Sequence, residues 1–271
     1  MGLFNVFKKL FHSSTDNPPA IEQTAAQDNP PLVKITFSQK PSADSPSPDI
    51  VPLNVLLKKA VPTKRGLYPH EILMQDYAHT FSTSSRNNHY QGFWYYEYSV
   101  EHPGAVLKSL EKRGFIQPGD LRSAIQNLTV PMIKKELKAI GQKVSGKKAD
   151  LIDRLLENAS LEDLEKKFPV RFYELTESGQ KELAENQYVP YLHRHKYMSV
   201  WEMNDRLNHR NPNHASYRDL IWQFFNEESL KHLNKGDMGL YRNTRLNMYE
   251  FLFEEKKYEQ AFNLLCEVIA Y

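Results

Sequence analysis

Residues 128–158 read LTVPMIKKELKAIGQKVSGKKADLIDRLLEN, and their apolar spacing describes two short helices around a tight turn. Thr129 is placed to cap the first helix, with Pro131 in its opening turn. Ile133, Leu137 and Ile140 recur at i, i+4 and i+7, and Gly141 supplies a left-handed stop. Ser145 is expected to cap the second helix, whose Leu151, Ile152, Leu155 and Leu156 face back onto the first. The predicted product is a helical hairpin.

Its charges run against local preference. Lys147 and Lys148 fall in the first turn of a helix, where the macrodipole disfavours a cation by about 0.3–1 kcal/mol. Residues that break a local rule without evident gain tend to mark function. A free amide fringe, a glycine permitting close approach and paired lysines form an arrangement suited to phosphate. Between 128 and 148, Lys134, Lys135, Lys138, Lys143, Lys147 and Lys148 face Glu136 alone, a net +5 in a chain whose total is +2. The remainder of the molecule is therefore net acidic.

The stretch resembles the SAP domain, a helix–extended loop–helix element. The residues that carry the likeness are Leu128, Thr129, Val130, Leu137, Lys138, Gly141, Ser145, Gly146, Lys147, Lys148, Leu151, Ile152, Arg154 and Leu155, and SGKKADLIDRL is the specific part. The turn Gly141-Gln142-Lys143-Val144 departs from the Gly-Leu-Pro usual there. What the resemblance implies is nucleic-acid binding, DNA ahead of RNA, mostly through backbone contacts. The nucleic-acid-binding residues it suggests are Lys134, Lys138, Lys143, Ser145, Gly146, Lys147, Lys148 and Arg154. Some SAP domains serve instead as protein-interaction or structural elements, so the alternative is an adaptor in which the hairpin only scaffolds its neighbours.

A second likeness frames the first. Tyr173, Leu175, Thr176, Gly179 and Leu183 are similar to the Y-x-L-T-x-x-G stretch of the wing strand and following helix in winged-helix regulators, and the likeness spans 168–186. Leu110, Gly114, Phe115 and Ile116 match the stretch that ends the helix preceding the wing. In such regulators the two lie close in sequence. Here the SAP-like segment separates them, which implies a winged-helix-like body with the hairpin inserted or appended; the alternative is simply a strand leading into a Thr-capped helix. Phe168, Val170 and Phe172 are expected to share one face of the second strand.

Upstream, residues 1–64 hold nine of the 16 prolines and none of the tyrosines or tryptophans, a composition that cannot build a core. This part is read as a disordered tail or linker, apart from a strand-like PLVKITF and a short amphipathic segment, MGLFNVFKKLF, at the N-terminus. Folded structure is expected from near Leu67. YPHEILMQDYAH reads as a helix, YQGFWYYEYSV as a strand, and PGAVLKSLEKRGFI as a helix stopped at Gly114. The aromatics Tyr90, Phe93, Trp94, Tyr95, Tyr96 and Tyr98 are read as half core and half sheet face, with base stacking the sharper alternative. Downstream of 200 the pattern is helical, with faces at Leu220, Ile221, Phe224 and Phe225, at Leu246, Tyr249 and Phe253, and at Phe262, Leu265 and Ile269. The YEQAFNLL stretch is faintly similar to a tetratricopeptide hairpin, though only one repeat is visible.

Chemistry has few candidates. The single cysteine, Cys266, excludes an internal disulfide or a multi-thiolate zinc site and is expected to be buried and inert. His193, His195, His209 and His214, with Asn204, Asn208, Asn211 and Asn213, are similar in content to HNH nucleases, but order and spacing do not fit a metal with an adjacent base. The sequence contains no Gly-rich phosphate loop and no Ser-His-Asp order. Mean hydropathy is −0.62 and no run approaches the about 20 apolar residues of a membrane span.

The expected architecture is α+β, mostly α. It comprises a disordered tail (1–64), an aromatic-rich α+β part (65–126), a SAP-like hairpin (127–160), a wing-like strand and helix (161–200) and a C-terminal helical region (201–271). The expected role is non-enzymatic nucleic-acid binding in a reducing, cytoplasmic setting, without cofactor, metal or small-molecule substrate. A protein partner is expected at the C-terminal helices, and a bacterial or prophage origin fits the arrangement.

Overall fold

Two short strands, β1 (Ile116–Pro118) and β2 (Tyr173–Leu175), pair antiparallel with Ile116 opposite Leu175 and Pro118 opposite Tyr173. A single bridge, Ser82 to Phe172, extends the pairing beyond β2. The computed structural model describes residues 50–84, 88–209 and 216–270, all within one unit spanning Ser47–Tyr271. Among them the fold is mostly helical with this one small sheet. The N-terminal amphipathic segment, PLVKITF and His214 lie outside the described residues.

Before β1 come α1 (Leu53–Lys59), α2 (Pro69–Tyr77), a 3-10 turn, α3 (Phe93–Tyr96) and α4 (Pro103–Lys112). Between the strands lie α5 (Leu121–Gln126), α6 (Val130–Ala139), α7 (Lys148–Asn158) and α8 (Leu161–Lys167). After β2 follow α9 (Glu177–Glu185), α10 (Tyr188–His195), α11 (Val200–His209), α12 (Tyr217–Asn234), α13 (Met238–Glu254) and α14 (Tyr258–Ala270). The helical hairpin is thus inserted into the β1–β2 connection.

Two hydrophobic cores result among the described residues. The larger joins α2, α3, α4 and both strands to α10–α14, around Leu73, Trp94, Leu110, Val189, Met203 and Phe225. The smaller belongs to the inserted helices alone: Leu121, Ile125, Ile133, Leu137, Leu151, Ile152, Leu155 and Leu164. No buried residue is common to both.

The T-x-x-G of the wing-like stretch has a steric reason. The Thr176 hydroxyl accepts the Gly179 N–H (3.1 Å) and donates to the Gly114 carbonyl (2.6 Å), while the Thr176 N–H donates to the Phe115 carbonyl (3.1 Å). The start of α9 is therefore clamped on the end of α4. A Cβ at position 179 would overlap the Phe115 carbonyl oxygen and approach Gln75 Oε1 to 3.3 Å. Helix propensity alone favours Gly179→Ala by about 1 kcal/mol. The overlap is with backbone and outweighs it, so the substitution is expected to destabilise by about 1–3 kcal/mol. A urea midpoint that rises in the variant would refute this packing.

Several expectations change. Ordered structure begins upstream of Leu67: α1 lies within the expected tail, and Val61 exchanges two hydrogen bonds with the buried Asn204 side chain (2.9 and 3.0 Å). YQGFWYYEYSV is not a strand. It contains the one-turn α3, from which Trp94 and Tyr98 enter the core while Tyr95 and Tyr96 stay exposed. Tyr77, Phe93 and Tyr98 surround the buried His193, whose two ring nitrogens lie 3.2 Å from the Tyr77 hydroxyl and 3.1 Å from that of Tyr98. Aromatic burial around an imidazole outweighed β propensity.

In β2 the residue that faces the core is Tyr173, with its hydroxyl donating to Glu111 (3.1 Å), while Val170 is exposed. On α13 the buried stripe is Thr244, Met248, Phe251 and Leu252, and on α14 it is Ala261 and Leu264. Leu246, Phe253, Phe262 and Ile269 point outward, because α13 must contact both α12 and α14 and turns its other residues to them. Cys266 is exposed rather than buried.

Candidate nucleic-acid interface

The inserted hairpin is built by α6, a loop over 140–147, and α7. Thr129 sits at the N-cap of α6 in an extended conformation, but its side chain makes no capping hydrogen bond; Pro131 occupies the first turn. Ile133 and Leu137 are buried, whereas Ile140, past the last turn, is 39% exposed. The helix stops where Gly141 adopts φ +73°: its N–H donates to the Lys138 carbonyl (3.1 Å) and the Gln142 N–H to that of Leu137 (2.8 Å). This is a Schellman closure, and it needs the left-handed residue the sequence supplies.

Ser145 does not cap α7. The cap position is Lys147, and its N–H donates to the Asp150 carboxylate (3.0 Å) one turn later. The loop passes Val144 and Ser145 without regular structure, and Gly146, at φ +131°, delivers the chain to Lys147 in a conformation only glycine adopts freely. The carboxylate of Asp150 in the first turn offsets the cost of placing Lys147 and Lys148 there. Leu151, Ile152 and Leu155 face back onto α6 as expected.

The structure brings the predicted site residues onto one hairpin and gives them different surroundings. Lys138, Lys143 and Lys147 are exposed, Lys134 is half-buried, and none of them makes an ion pair among the described residues. Lys135 shares this condition. Lys148 Nζ donates to the Gln126 carbonyl at the end of α5 (2.6 Å). Arg154 Nη1 donates to the carbonyls of Lys143 (2.7 Å) and Ser145 (3.1 Å), across the loop.

Three of the hairpin's four acids are engaged. Glu136 pairs with Lys167 (2.6 Å), Asp153 with Arg122 (2.7 Å), and Asp150 accepts the Lys147 amide. The unit thus presents lysines on its loop side, with Glu136 and Asp153 paired to cations outside the hairpin and Asp150 seated at the loop's end on the Lys147 amide. Such a surface attracts polyanions and has little with which to read bases.

Sequence reasoning missed the supports. Arg122, Gln126 and Lys167 lie on α5 and α8, outside the 127–160 boundary, yet they hold α6, α7 and the first lysine of α7 in place. The spacing of Leu121, Ile125 and Leu128 continues the apolar pattern of the hairpin and could have extended it. Among the described residues no group of three or more His, Cys, Asp or Glu could hold a metal, and no helix is long and apolar enough to cross a membrane. His193, His195 and His209 are instead engaged singly: with two tyrosines, with Tyr191 and Glu254, and with Asp205.

A family model described as SAP domain matches residues 124–158. The chain therefore contains a SAP domain, a general nucleic-acid-binding motif, and the match begins inside α5. No curated protein matches the chain, and no solved structure does.

Proposed function

We propose that this chain binds duplex DNA without catalysis, its SAP unit gripping phosphates through Lys138, Lys143 and Lys147 with Lys134 at the flank. The observation that carries this reading is the charge accounting of the hairpin: six lysines without an ion pair among the described residues, against four carboxylates, of which Glu136 and Asp153 are paired with cations outside it. Contacts of this kind give salt-dependent affinity and little sequence preference. The surrounding body is read as winged-helix-like. Its order of α2, the Ser82 bridge, α3, α4, β1 and β2 supports that, with the SAP unit seated between the two wing strands.

The test is fluorescence anisotropy of the full chain against AT-rich duplex, random duplex and single strands across a salt series. Three neutralised phosphates correspond to a log–log slope of about −2.7 on duplex. Replacing Lys143 and Lys147 together by Ala is expected to leave the fold intact and reduce that slope by about 1.8. Preferred binding to single-stranded RNA would overturn the duplex assignment, and no binding at low salt would overturn the reading altogether.

A second reading, a protein-interaction adaptor, draws on the outward Leu246, Phe253, Phe262 and Ile269 of α13 and α14, large apolar side chains that core packing does not use. It predicts that charge substitutions at Phe262 and Ile269 abolish association with a protein while DNA affinity stays unchanged.

A further inference from the structure

Arg154 belongs to the part of the SAP-like sequence whose lysines invite a phosphate, and on charge alone it would join them. Its geometry says otherwise. The guanidinium turns back across the loop, and one nitrogen donates to both the Lys143 and the Ser145 carbonyl. The brace continues along α7: Asn158 Nδ2 donates to the Arg154 carbonyl (2.8 Å), and Gln142 Nε2 to Asn158 Oδ1 (3.3 Å).

Aiming two carbonyls inward has a consequence for the amides that follow them. In a planar trans peptide the C=O and the next N–H point in opposite directions, and the described chain has no cis bond. With the Lys143 and Ser145 oxygens drawn to Arg154, the Val144 and Gly146 N–H groups point away from it. Neither amide donates a hydrogen bond to another described residue. They lie on an exposed loop between Lys143 and Lys147. Alternate amides left free on the outer side of a loop between cations are donors available to phosphate oxygens.

We infer that Arg154 is a positioning residue of the phosphate site: it touches no phosphate itself, and it holds loop 143–146 so that the Val144 and Gly146 amides face the ligand between Lys143 and Lys147. This rests on the reading of the hairpin as a phosphate-binding site. The two possible roles of Arg154 differ in salt dependence. A direct cation–phosphate contact contributes about 0.9 to the slope, whereas a residue acting through neutral amides contributes to affinity and leaves the slope alone.

The experiment uses the full chain and a random duplex. Arg154→Ala is expected to weaken binding roughly tenfold, the scale of losing charge-assisted hydrogen bonds, with the slope unchanged. Arg154→Lys keeps the charge but not the planar fork and is expected to behave like Arg154→Ala. Arg154→Met retains the apolar stem and gives the same result if Ala costs the hairpin its fold. In amide NMR spectra, titration with the duplex is expected to shift Val144 and Gly146 in the wild-type chain and not in these variants. A slope reduced by about 0.9 and restored by Lys would show direct contact and overturn the inference, as would unchanged affinity in Arg154→Ala. Failure of the wild-type chain to bind duplex would instead remove the underlying reading, and this inference with it.

Discussion

Leu151→Ala is expected to unfold the inserted helices while the rest of the molecule stays folded. Leu151 is fully buried, and its partners are the few apolar residues of the smaller core, none of which reaches into the larger one. Truncating a buried leucine costs about 2–5 kcal/mol, depending on how far the cavity can collapse. A unit this small is marginal to begin with, so a loss of that size is comparable to its whole stability. Amide exchange should then lose protection across 121–167, with duplex binding lost in parallel, while core amides such as those of Leu73 and Val189 remain protected. Ile140→Ala, at the exposed end of α6, is the matched control and is expected to stay within about 0.5 kcal/mol of wild type. A single cooperative transition, with both cores losing protection together, would show that the two fold as one.

Acid is expected to destabilise the larger core by about 3 kcal/mol between pH 6.5 and pH 4, through His70. His70 lies at the start of α2, 6% exposed, between Tyr68 and Trp201, and its Nδ1 has no hydrogen-bond partner. Burial, reinforced by the nearby Arg113 guanidinium, pushes its pKa down from 6.5 to about 4. In this window the unfolded chain binds a proton that the folded chain refuses. Stability is therefore full above pH 6.5, declines as pH falls, and has lost this contribution once pH passes below about 4. His193, also lowered by burial, acts in the same direction. The carboxylates held low by hydrogen bonds, such as Asp219 and Glu227, lose their contribution only in more acid solution, so the windows separate. His70→Phe preserves the stacking and should flatten the dependence of the urea midpoint on pH between 6.5 and 4. An unchanged profile in that variant would assign the acid sensitivity to other groups.

The hairpin was legible because its determinants are local. Apolar spacing, Pro131, Gly141 and the lysine run lie within one short window, and each acts through its own neighbours. The pairing of Ile116 with Leu175 was not legible, since nothing local joins two strands across four helices. The aromatic stretch misled because strand propensity reports how well a side chain fits a half-buried pleat. Trp94 and Tyr98 found a better burial at one helical turn, Tyr98 against His193 and Trp94 against Tyr77. The outward faces of α13 and α14 misled for a related reason: periodicity finds a stripe without saying which stripe the neighbouring helices cover.

By itself the sequence determined a SAP hairpin, its excess of lysine, the mostly helical character of the chain and the absence of the usual catalytic motifs, because composition and i, i+4 spacing act over a single turn. Only the tertiary structure decided which of those cations are free. Ion pairs and carbonyl contacts form between elements distant in sequence: Lys167 with Glu136, Arg122 with Asp153, and Lys148 with Gln126. Arg154 crosses the loop it braces, and whether a charge is spent inward or offered outward depends on where such partners come to rest.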